Sequence, residues 1–183
     1  MKNKIKVIAL FGKSGAGKDT IQNYFCSVNN NINKIISCTT RPPRENEVDG
    51  VDYHFLDEEE FSIKVIAGDM LEHTIFRNWF YGTPIDSLDP EKVNIGVFNI
   101  AGIRTMLEDP RLDVHPVYVQ VSDKTRLMRA LNREEEPDCK EICRRFLTDE
   151  EDFQDIDFEY ITFDNEHPLN KEDLQKLKLS RSK

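Results

Sequence analysis

The sequence predicts a three-layer α/β fold with a parallel central sheet. Apolar runs rich in β-branched residues alternate along the 183 residues with segments of helical periodicity, and this alternation is typical of parallel sheets. The first apolar run leads directly into a glycine-rich loop, and a helical pattern follows the loop. A chain of this length can bury the core of one domain, so we expect a single domain over residues 1–183.

The first third of the chain contains two predicted strands and two predicted helices. KIKVIALF (4–11) predicts a buried strand rather than a signal peptide, because it runs straight into the glycine loop. KDTIQNYFCSV (18–28) predicts a helix, and NKIIS (33–37) predicts a short strand. Residues 38–57 are rich in Pro, Arg, Asp and Gly and predict a structured loop. The acidic start of DEEEFSIKVIAG (57–68) predicts a helix N-terminus.

The remainder of the chain continues the alternation of strands and helices. The predicted strands are KVNIGVFNI (92–100), DVHPVYVQV (113–121) and FEYITF (158–163). The predicted helices are AGIRTMLEDP (101–110), which Pro110 ends, SDKTRLMRALNR (122–133), with Ser122 as N-cap, DCKEICRRFLTDEEDF (138–153) and PLNKEDLQKLKL (168–179).

Charge and hydropathy argue against two classes of protein. The net charge of −9 argues against a general nucleic-acid-binding protein, which needs a basic face. No apolar run approaches the roughly 20 residues of a membrane span. From the charge we expect no nucleic-acid partner, and from the apolar runs we expect no membrane partner. The cysteines are predicted to be unpaired thiols of a cytosolic protein: Cys26, Cys38, Cys139 and Cys143.

Residues 10–20, LFGKSGAGKDT, contain a phosphate-binding loop of the type G-x-x-x-x-G-K-[ST] with one departure. The glycines let backbone N–H groups face inward, and the following helix adds its positive N-terminal end. Lys18 can reach the β- and γ-phosphates of a nucleoside triphosphate. The hydroxyl expected after Lys18 as a magnesium ligand is replaced by Asp19. The predicted nucleotide-binding residues are Gly12, Ser14, Gly15, Ala16, Gly17, Lys18, Asp19 and Thr20.

A second motif, SCTTRPPRENEVDGVDYH (37–54), resembles the guanylate kinase family, whose pattern is S-x-T-T-R-x-P-R-x-x-E-x-x-G-x-x-Y. It is matched at Ser37, Thr39, Thr40, Arg41, Pro43, Arg44, Glu47, Gly50 and Tyr53. The segment MLEHTIFRNWFYGT (70–83) is similar to the second substrate-binding segment of that family, with Glu72, Tyr81, Gly82 and Thr83 in place. The resemblance extends over the whole chain and is strongest over residues 5–83.

The resemblance implies a P-loop core interrupted by two mobile parts. The core covers roughly residues 1–36, 91–129 and 151–183, a GMP-binding insert covers roughly 37–90, and a helical lid covers roughly 130–150. It also implies ATP-dependent phosphorylation of GMP and dGMP by direct in-line transfer, with ATP and Mg²⁺ as cofactors. Such an enzyme is expected in the cytoplasm, as a monomer or homodimer with small-molecule substrates.

The chemistry of the matched residues agrees with a guanine nucleotide. Arg41 and Arg44, held by prolines, form a clamp of forked donors for a phosphate, and Tyr53 and Tyr81 add phenolic donors. Glu72 can accept two hydrogen bonds from the guanine N1–H and its exocyclic amine. The resemblance further assigns Ser37, Thr83 and Asn99 to the base. It assigns the catalytic roles to Lys18, Arg41, Arg133 and Arg145, and nearby Arg126, Arg129 and Arg144 are alternatives.

Two departures from the family pattern concern the metal and the base. The family usually has an Asp-x-Asp pair where this chain has Val97 and Asn99. Since one carboxylate is lost at Val97 and one is gained at Asp19, we interpret Asp19 as a relocated magnesium ligand. Asn99 keeps a carbonyl acceptor but no charge, which predicts weaker guanine selection. Asp164 or Asn165 is expected near the adenine, and the sequence does not choose between them.

The sequence also allows two alternatives to a guanylate kinase. Lys-Asp-Thr after the glycine loop also resembles some phage-type deoxynucleoside monophosphate kinases, so a kinase of broader specificity is one alternative. The other is a catalytically inactive guanylate-kinase-like binding module. Such modules generally lose the glycine loop and its lysine, whereas this chain has Gly12, Gly17 and Lys18.

Overall fold

The computed structural model describes residues 4–45, 47–76, 78–133, 135–170 and 172–177. The strands are β1 Ile5–Phe11, β2 Ile32–Lys34, β3 Cys38–Thr39, β4 His54–Phe55, β5 Met70–Phe76, β6 Trp79–Pro84, β7 Val93–Val97, β8 Leu112–Gln120 and β9 Ile161–Asp164. The helices are α1 Lys18–Val28, α2 Glu58–Ala67, α3 Ile100–Glu108, α4 Asp123–Leu131, α5 Cys139–Asp152 and α6 Asp173–Leu177, and a 3₁₀ turn spans Ile85–Ser87.

The central sheet has the strand order β2-β7-β1-β8-β9, and all of its pairings are parallel. Side chains of β1 alternate between two apolar layers, as the period of a strand requires. Ile8 and Leu10 pack with Ile21 and Phe25 of α1 on one face. Val7, Ala9 and Phe11 pack on the other face with residues of α3. The predicted three-layer α/β fold is therefore confirmed.

The part of the chain that connects β2 to β7 forms a second sheet, of order β4-β3-β6-β5. Its main unit is the antiparallel hairpin β5–β6, which the sequence analysis did not predict. Asp57 caps the helix α2 beside it, with the reciprocal Asp57–Glu60 hydrogen bonds of a capping box. This sheet presents the residues of the SCTTRPPR motif, since β3 pairs with β6.

Several predicted boundaries differ from the structure. The strand expected over 92–100 ends at Val97, because Asn99 caps α3, which begins at Ile100. The strand expected over 33–37 ends at Lys34, because the chain then leaves the central sheet and joins the second sheet at β3. The strand expected over 158–163 begins only at Ile161, because Phe158 and Tyr160 pack against the ring of Phe11 instead. The helix expected over 168–179 corresponds to α6, and residues 171, 178 and 179 of that prediction lie outside the described residues.

Two further expectations concern cysteines and membranes. All four cysteines, which lie in the described ranges, are free, and Cys139 and Cys143 are exposed on α5. Every helix within the described residues is too short or too polar to cross a bilayer.

Candidate active site

The glycine loop connects β1 to α1 at the carboxyl edge of the central sheet. Gly15 and Gly17 have positive φ angles, 78° and 88°, and Gly17 is the N-cap of α1 without a side-chain cap. A Cβ at Gly17 would lie 2.7 Å from Nδ2 of Asn165, so a larger residue would meet both strain and a steric clash. The loop therefore has the backbone of an anion-binding site at a helix N-terminus.

The ammonium group of Lys18 lies across its own loop. Its Nζ donates to the carbonyl oxygens of Gly12, at 2.7 Å, and Lys13, at 3.1 Å. Burial lowers the pKa of Lys18, and the negative charges of Asp19 and Asp149 oppose this effect. A phosphate entering the loop would replace two neutral acceptors by a charged one, and charge-assisted hydrogen bonds are the stronger kind.

Asp19 and Thr20 are exposed and line the cavity in front of the loop. The described residues contain no group of three or more His, Cys, Asp or Glu side chains arranged around one point. Magnesium does not need such a cage, because it keeps several waters and takes one or two carboxylates plus substrate phosphates. The single carboxylate of Asp19 beside the loop fits that pattern, whereas the side chain of Val97 offers no oxygen.

Ser14 of the loop is held by Asp149, which the sequence analysis did not select, and by Arg126, which it named only as an alternative to the catalytic arginines. Its N–H donates to Oδ2 of Asp149 at 2.8 Å, and its hydroxyl lies 3.3 Å from Oδ1 of the same carboxylate. Arg126, only 1% exposed, donates to that carboxylate at 2.6 Å and to the Ser14 carbonyl at 3.2 Å. Arg126 is therefore a buried partner of Asp149 and not an arginine of the lid.

Two more side chains hold the other end of the loop. Arg129 donates to the carbonyl oxygens of Ala16, at 3.2 Å, and Asn165, at 2.8 Å. The side chain of Asn165 is buried and donates to the same Ala16 carbonyl at 2.8 Å. Asp164 is exposed and accepts from the N–H of Glu166. Of the two residues expected near the adenine, Asn165 is therefore the one that contacts the phosphate loop.

The first clamp arginine is fixed by a carboxylate within its own motif. Nη2 of Arg41 lies 2.9 Å from both carboxylate oxygens of Glu47, and the Arg44 N–H donates to Glu47 at 2.8 Å. The Arg41 guanidinium also lies 5.7 Å from the ring centre of Tyr53. Burial would lower the pKa of Arg41, but Glu47 and Tyr81 together raise it. Glu47 was quoted in the motif but was not predicted as a site residue.

Arginines from three segments meet in front of the phosphate loop. Burial lowers the pKa of Arg44, and the positive charges of Arg41, Arg145 and Arg133 lower it further. These residues line a cavity of about 1110 Å³ that also contains Lys18 and Asp19. Arg144 and Arg145 both pair with Glu141, but Arg144 is exposed and only Arg145 of the two is among the residues that line this cavity. The cavity therefore joins the phosphate loop, the two arginines of the 37–54 motif and the two arginines predicted for the lid in one space.

Two tyrosines complete the wall of this cavity. The rings of Tyr53 and Tyr81 lie 6.2 Å apart, centre to centre, and both residues line the cavity. Burial raises the pKa of Tyr53 to about 12, and the nearby negative charge of Asp19 adds to the effect. Tyr53 is therefore protonated at neutral pH and can donate a hydrogen bond to an anion.

The predicted base-binding residues form a buried hydrogen-bonded chain beside the clamp. Thr83 Oγ1 donates to Oε1 of Glu72 at 2.6 Å, and the hydroxyls of Thr83 and Ser37 lie 3.1 Å apart. A β-bulge between Met70 and Glu72 lets Glu72 face Thr83 across the hairpin. Glu72 is 8% exposed, and burial raises its pKa although the Thr83 hydrogen bond opposes this.

Asn99 lies at the N-terminus of α3, close to the same carboxylate. Its Oδ1 accepts from the N–H of Gly102 at 2.7 Å and thereby caps the helix. A Cβ on Gly102 would lie 2.8 Å from Oε2 of Glu72 and 3.2 Å from Oδ1 of Asn99. The missing side chain at Gly102 therefore makes room for Glu72, a role that the sequence analysis did not assign.

Comparisons with known proteins agree with this geometry. A sequence model of the guanylate kinase family matches residues 4–178 of the chain. The guanylate kinase of Wolbachia pipientis wMel is 30% identical over 194 aligned positions, which cover 97% of this chain and 96% of that protein. A crystal structure of guanylate kinase from Anaplasma phagocytophilum has a TM-score of 0.68 at 22% identity, over 96% of this chain and 82% of that one.

Other relatives are more similar over shorter segments. The guanylate kinase of Frankia casuarinae is 48% identical over 75 residues, which is 41% of each chain. That of Clostridium perfringens strain 13 is 45% identical over 87 residues, or 48% of this chain and 40% of the relative. The matches to these two proteins thus span about two fifths of the relatives' length.

Proposed function

Because this chain belongs to the guanylate kinase family, we propose that it phosphorylates GMP, and dGMP, at the expense of ATP. The observation that carries the proposal is the shared cavity, in which Lys18 of the loop, Arg41 and Arg44 of the clamp, and Arg133 and Arg145 of the lid surround one space. Phosphoryl transfer requires positive charge around the moving group and exclusion of water, and this space supplies the charge.

On the donor side, the phosphates of ATP would bind to the N–H groups of the glycine loop. Lys18 would exchange its contacts with the Gly12 and Lys13 carbonyls for a phosphate oxygen. Asp19 would hold Mg²⁺ directly or through water, and the ion would neutralise charge on the phosphates. Asn165 and Arg129, both at the Ala16 carbonyl, support a nucleoside position beside the loop.

On the acceptor side, the monophosphate of GMP would bind between Arg41, Arg44, Tyr53 and Tyr81. Glu47 keeps the Arg41 guanidinium in place before the substrate arrives, so less rotamer entropy is lost on binding. The guanine would insert towards Glu72, Ser37 and Thr83. Deoxy-GMP has the same base and phosphate, and it would use the same contacts.

The transfer itself needs no covalent intermediate. A GMP phosphate oxygen would attack the γ-phosphorus in line, and the γ-phosphoryl group would leave ADP as it bonds to GMP. Arg133 and Arg145 would stabilise the charge on the transferring group when the lid segment, roughly residues 130–150, closes. We place this enzyme in the cytoplasm, as a monomer or homodimer.

Glu72→Gln tests the acceptor half of the proposal. The amide keeps one carbonyl acceptor but turns an N–H₂ group towards the guanine donors, so kcat/KM for GMP should fall about 10-fold to 100-fold. The rate with AMP, which presents no such donors, should change far less. Steady-state assays with both nucleotides measure this difference. An equal loss with GMP and AMP would count against Glu72 as the base-recognising residue.

The same variant should raise the stability of the free protein at neutral pH. The folded-state pKa of Glu72 lies above its ordinary value of 4.5, so the folded protein binds the extra proton more tightly than the unfolded chain does. The contribution of protonated Glu72 to the free energy of unfolding is therefore complete below pH 4.5, and it is lost as the pH rises through the folded-state pKa. The melting temperature of Glu72→Gln minus that of the wild type should accordingly increase with pH, as thermal unfolding at several pH values would reveal.

A further inference from the structure

Helix α5 contacts the cavity with one part and the phosphate loop with another. Glu141, Arg145 and Asp149 recur every four residues, which places them on one face of the helix. Arg145 lines the cavity, and Asp149 binds the loop at Ser14. The separation between Arg145 and the loop is thus set within one helix.

All three polar groups of Ser14 are occupied by two side chains. Its N–H and hydroxyl face the carboxylate of Asp149, and its carbonyl accepts from Arg126. The contacts are enclosed, because Asp149 is 8% exposed and Arg126 is 1% exposed. Lys13, the preceding residue, forms an ion pair with Glu150 of the same helix. The first half of the loop is therefore fixed to α5 by charged groups.

Arg126 is itself held on several sides. Its Nε donates to Asp123 at 2.9 Å, and its guanidinium lies 3.9 Å from the ring centre of Phe146 on α5. The β-carbon of Arg126 would lie 3.0 Å from a Cβ on Gly15, so α4 also packs directly on the loop. The Arg126–Asp149 pair is thus a junction of α4, α5 and the phosphate loop.

We propose that Asp149, with Arg126, is a positioning residue for phosphoryl transfer. The pair holds the phosphate loop at a fixed distance from Arg145. The proposal rests on the proposed kinase function and extends it to a residue that touches no substrate. A phosphate loop whose Ser14 is no longer held by Asp149 and Arg126 would bind ATP less well, and Arg145 would lie at the wrong distance from the γ-phosphate. Displacements of about 1 Å at a reacting centre can cost about 100-fold in rate.

The test must separate positioning from stability, because breaking a buried ion pair also destabilises a fold. Replacing both partners of such a pair by apolar residues of similar volume is often neutral or stabilising. The variant R126M/D149L therefore removes the hold on Ser14 without leaving a buried unpaired charge. Asp149→Glu serves as a second variant, since it keeps the charge for Arg126 but lengthens the side chain by one methylene. The exposed pair Arg104–Asp157, changed to R104Q/D157N, is the matched control.

Two readouts are needed, namely the ATP dissociation constant by calorimetry and kcat with GMP. We expect R126M/D149L and Asp149→Glu to melt close to the wild type while the dissociation constant rises and kcat falls, each about 10-fold to 100-fold. The control should match the wild type in both quantities. Wild-type ATP affinity and kcat in a folded R126M/D149L or Asp149→Glu variant would overturn the proposal. If the wild type itself phosphorylates no monophosphate, the kinase function fails, whereas the ATP affinities still decide the role of Asp149.

Discussion

Replacing Lys18 by methionine is expected to lower kcat for ADP formation by at least about 100-fold to 1,000-fold. The loop has two lysines, and Lys13 pairs with Glu150, whereas Lys18 lines the cavity. The ammonium group of Lys18 would therefore stabilise the negative charge that develops on the β–γ bridging oxygen. Methionine has a similar length and shape but no charge. The loop should still fold, because Gly15 and Gly17 and the contacts of Ser14 and Ala16 remain.

Initial rates of ADP release at saturating ATP and GMP measure this effect. Lys124→Met is the matched control, because Lys124 is exposed on α4 and is not among the residues that line the cavity. Its rate should equal that of the wild type. If Lys18→Met retains more than about a tenth of the wild-type kcat, the loop does not have the catalytic role that we propose.

Asp19→Ala is expected to lower kcat about 10-fold to 100-fold and to raise the magnesium concentration needed for half-maximal rate. Asp19 stands directly after Lys18, in the position where the motif usually has the hydroxyl that binds magnesium. GMP affinity should change little, because the acceptor is held by Arg41, Arg44 and the tyrosines. A magnesium titration of the rate, together with GMP binding by calorimetry, separates the two quantities.

Two further variants sharpen this test. Asp19→Ser restores the hydroxyl of the usual motif but not the carboxylate missing at Val97, so it should recover only part of the rate. Asp155→Ala removes an exposed carboxylate outside the cavity and should behave as the wild type. Full rate and unchanged magnesium dependence in Asp19→Ala would show that the metal site was not relocated to this residue.

The central sheet could be predicted because most of its strands are short continuous apolar runs. Such runs can be identified from the local sequence without knowledge of the neighbouring strand. The hairpin β5–β6 could not, because the bulge at Met70–Glu72 buries both Leu71 and Glu72. Two adjacent buried residues break the period of two that predicts a half-buried strand. The glycine loop and the arginine clamp could also be predicted from the sequence, because the residues of each lie within a single short motif at fixed spacing.

Residues that contact the phosphate loop from remote parts of the sequence gave weaker signals. Asp149, 135 positions from Ser14, was not predicted, and Asn165, 149 positions from Ala16, could not be distinguished from Asp164. The one local indication for Asp149 was its spacing of four from Arg145, which many solvent-exposed helices share. Gly102 could not be selected either, because only the folded hairpin brings Glu72 against α3.

The most direct test of the proposed function is the rate of ADP formation by purified protein with ATP, magnesium and GMP, dGMP, AMP, dTMP or dCMP. We predict turnover with GMP and dGMP, and values of kcat/KM at least about 100-fold lower with the other three, because their bases lack the pair of donors that guanine presents to the buried carboxylate of Glu72. Comparable turnover with the pyrimidine nucleotides would indicate a broader deoxynucleotide kinase, as Asn99 permits. No turnover with any of the five, while GMP still binds, would contradict the account and indicate a binding module.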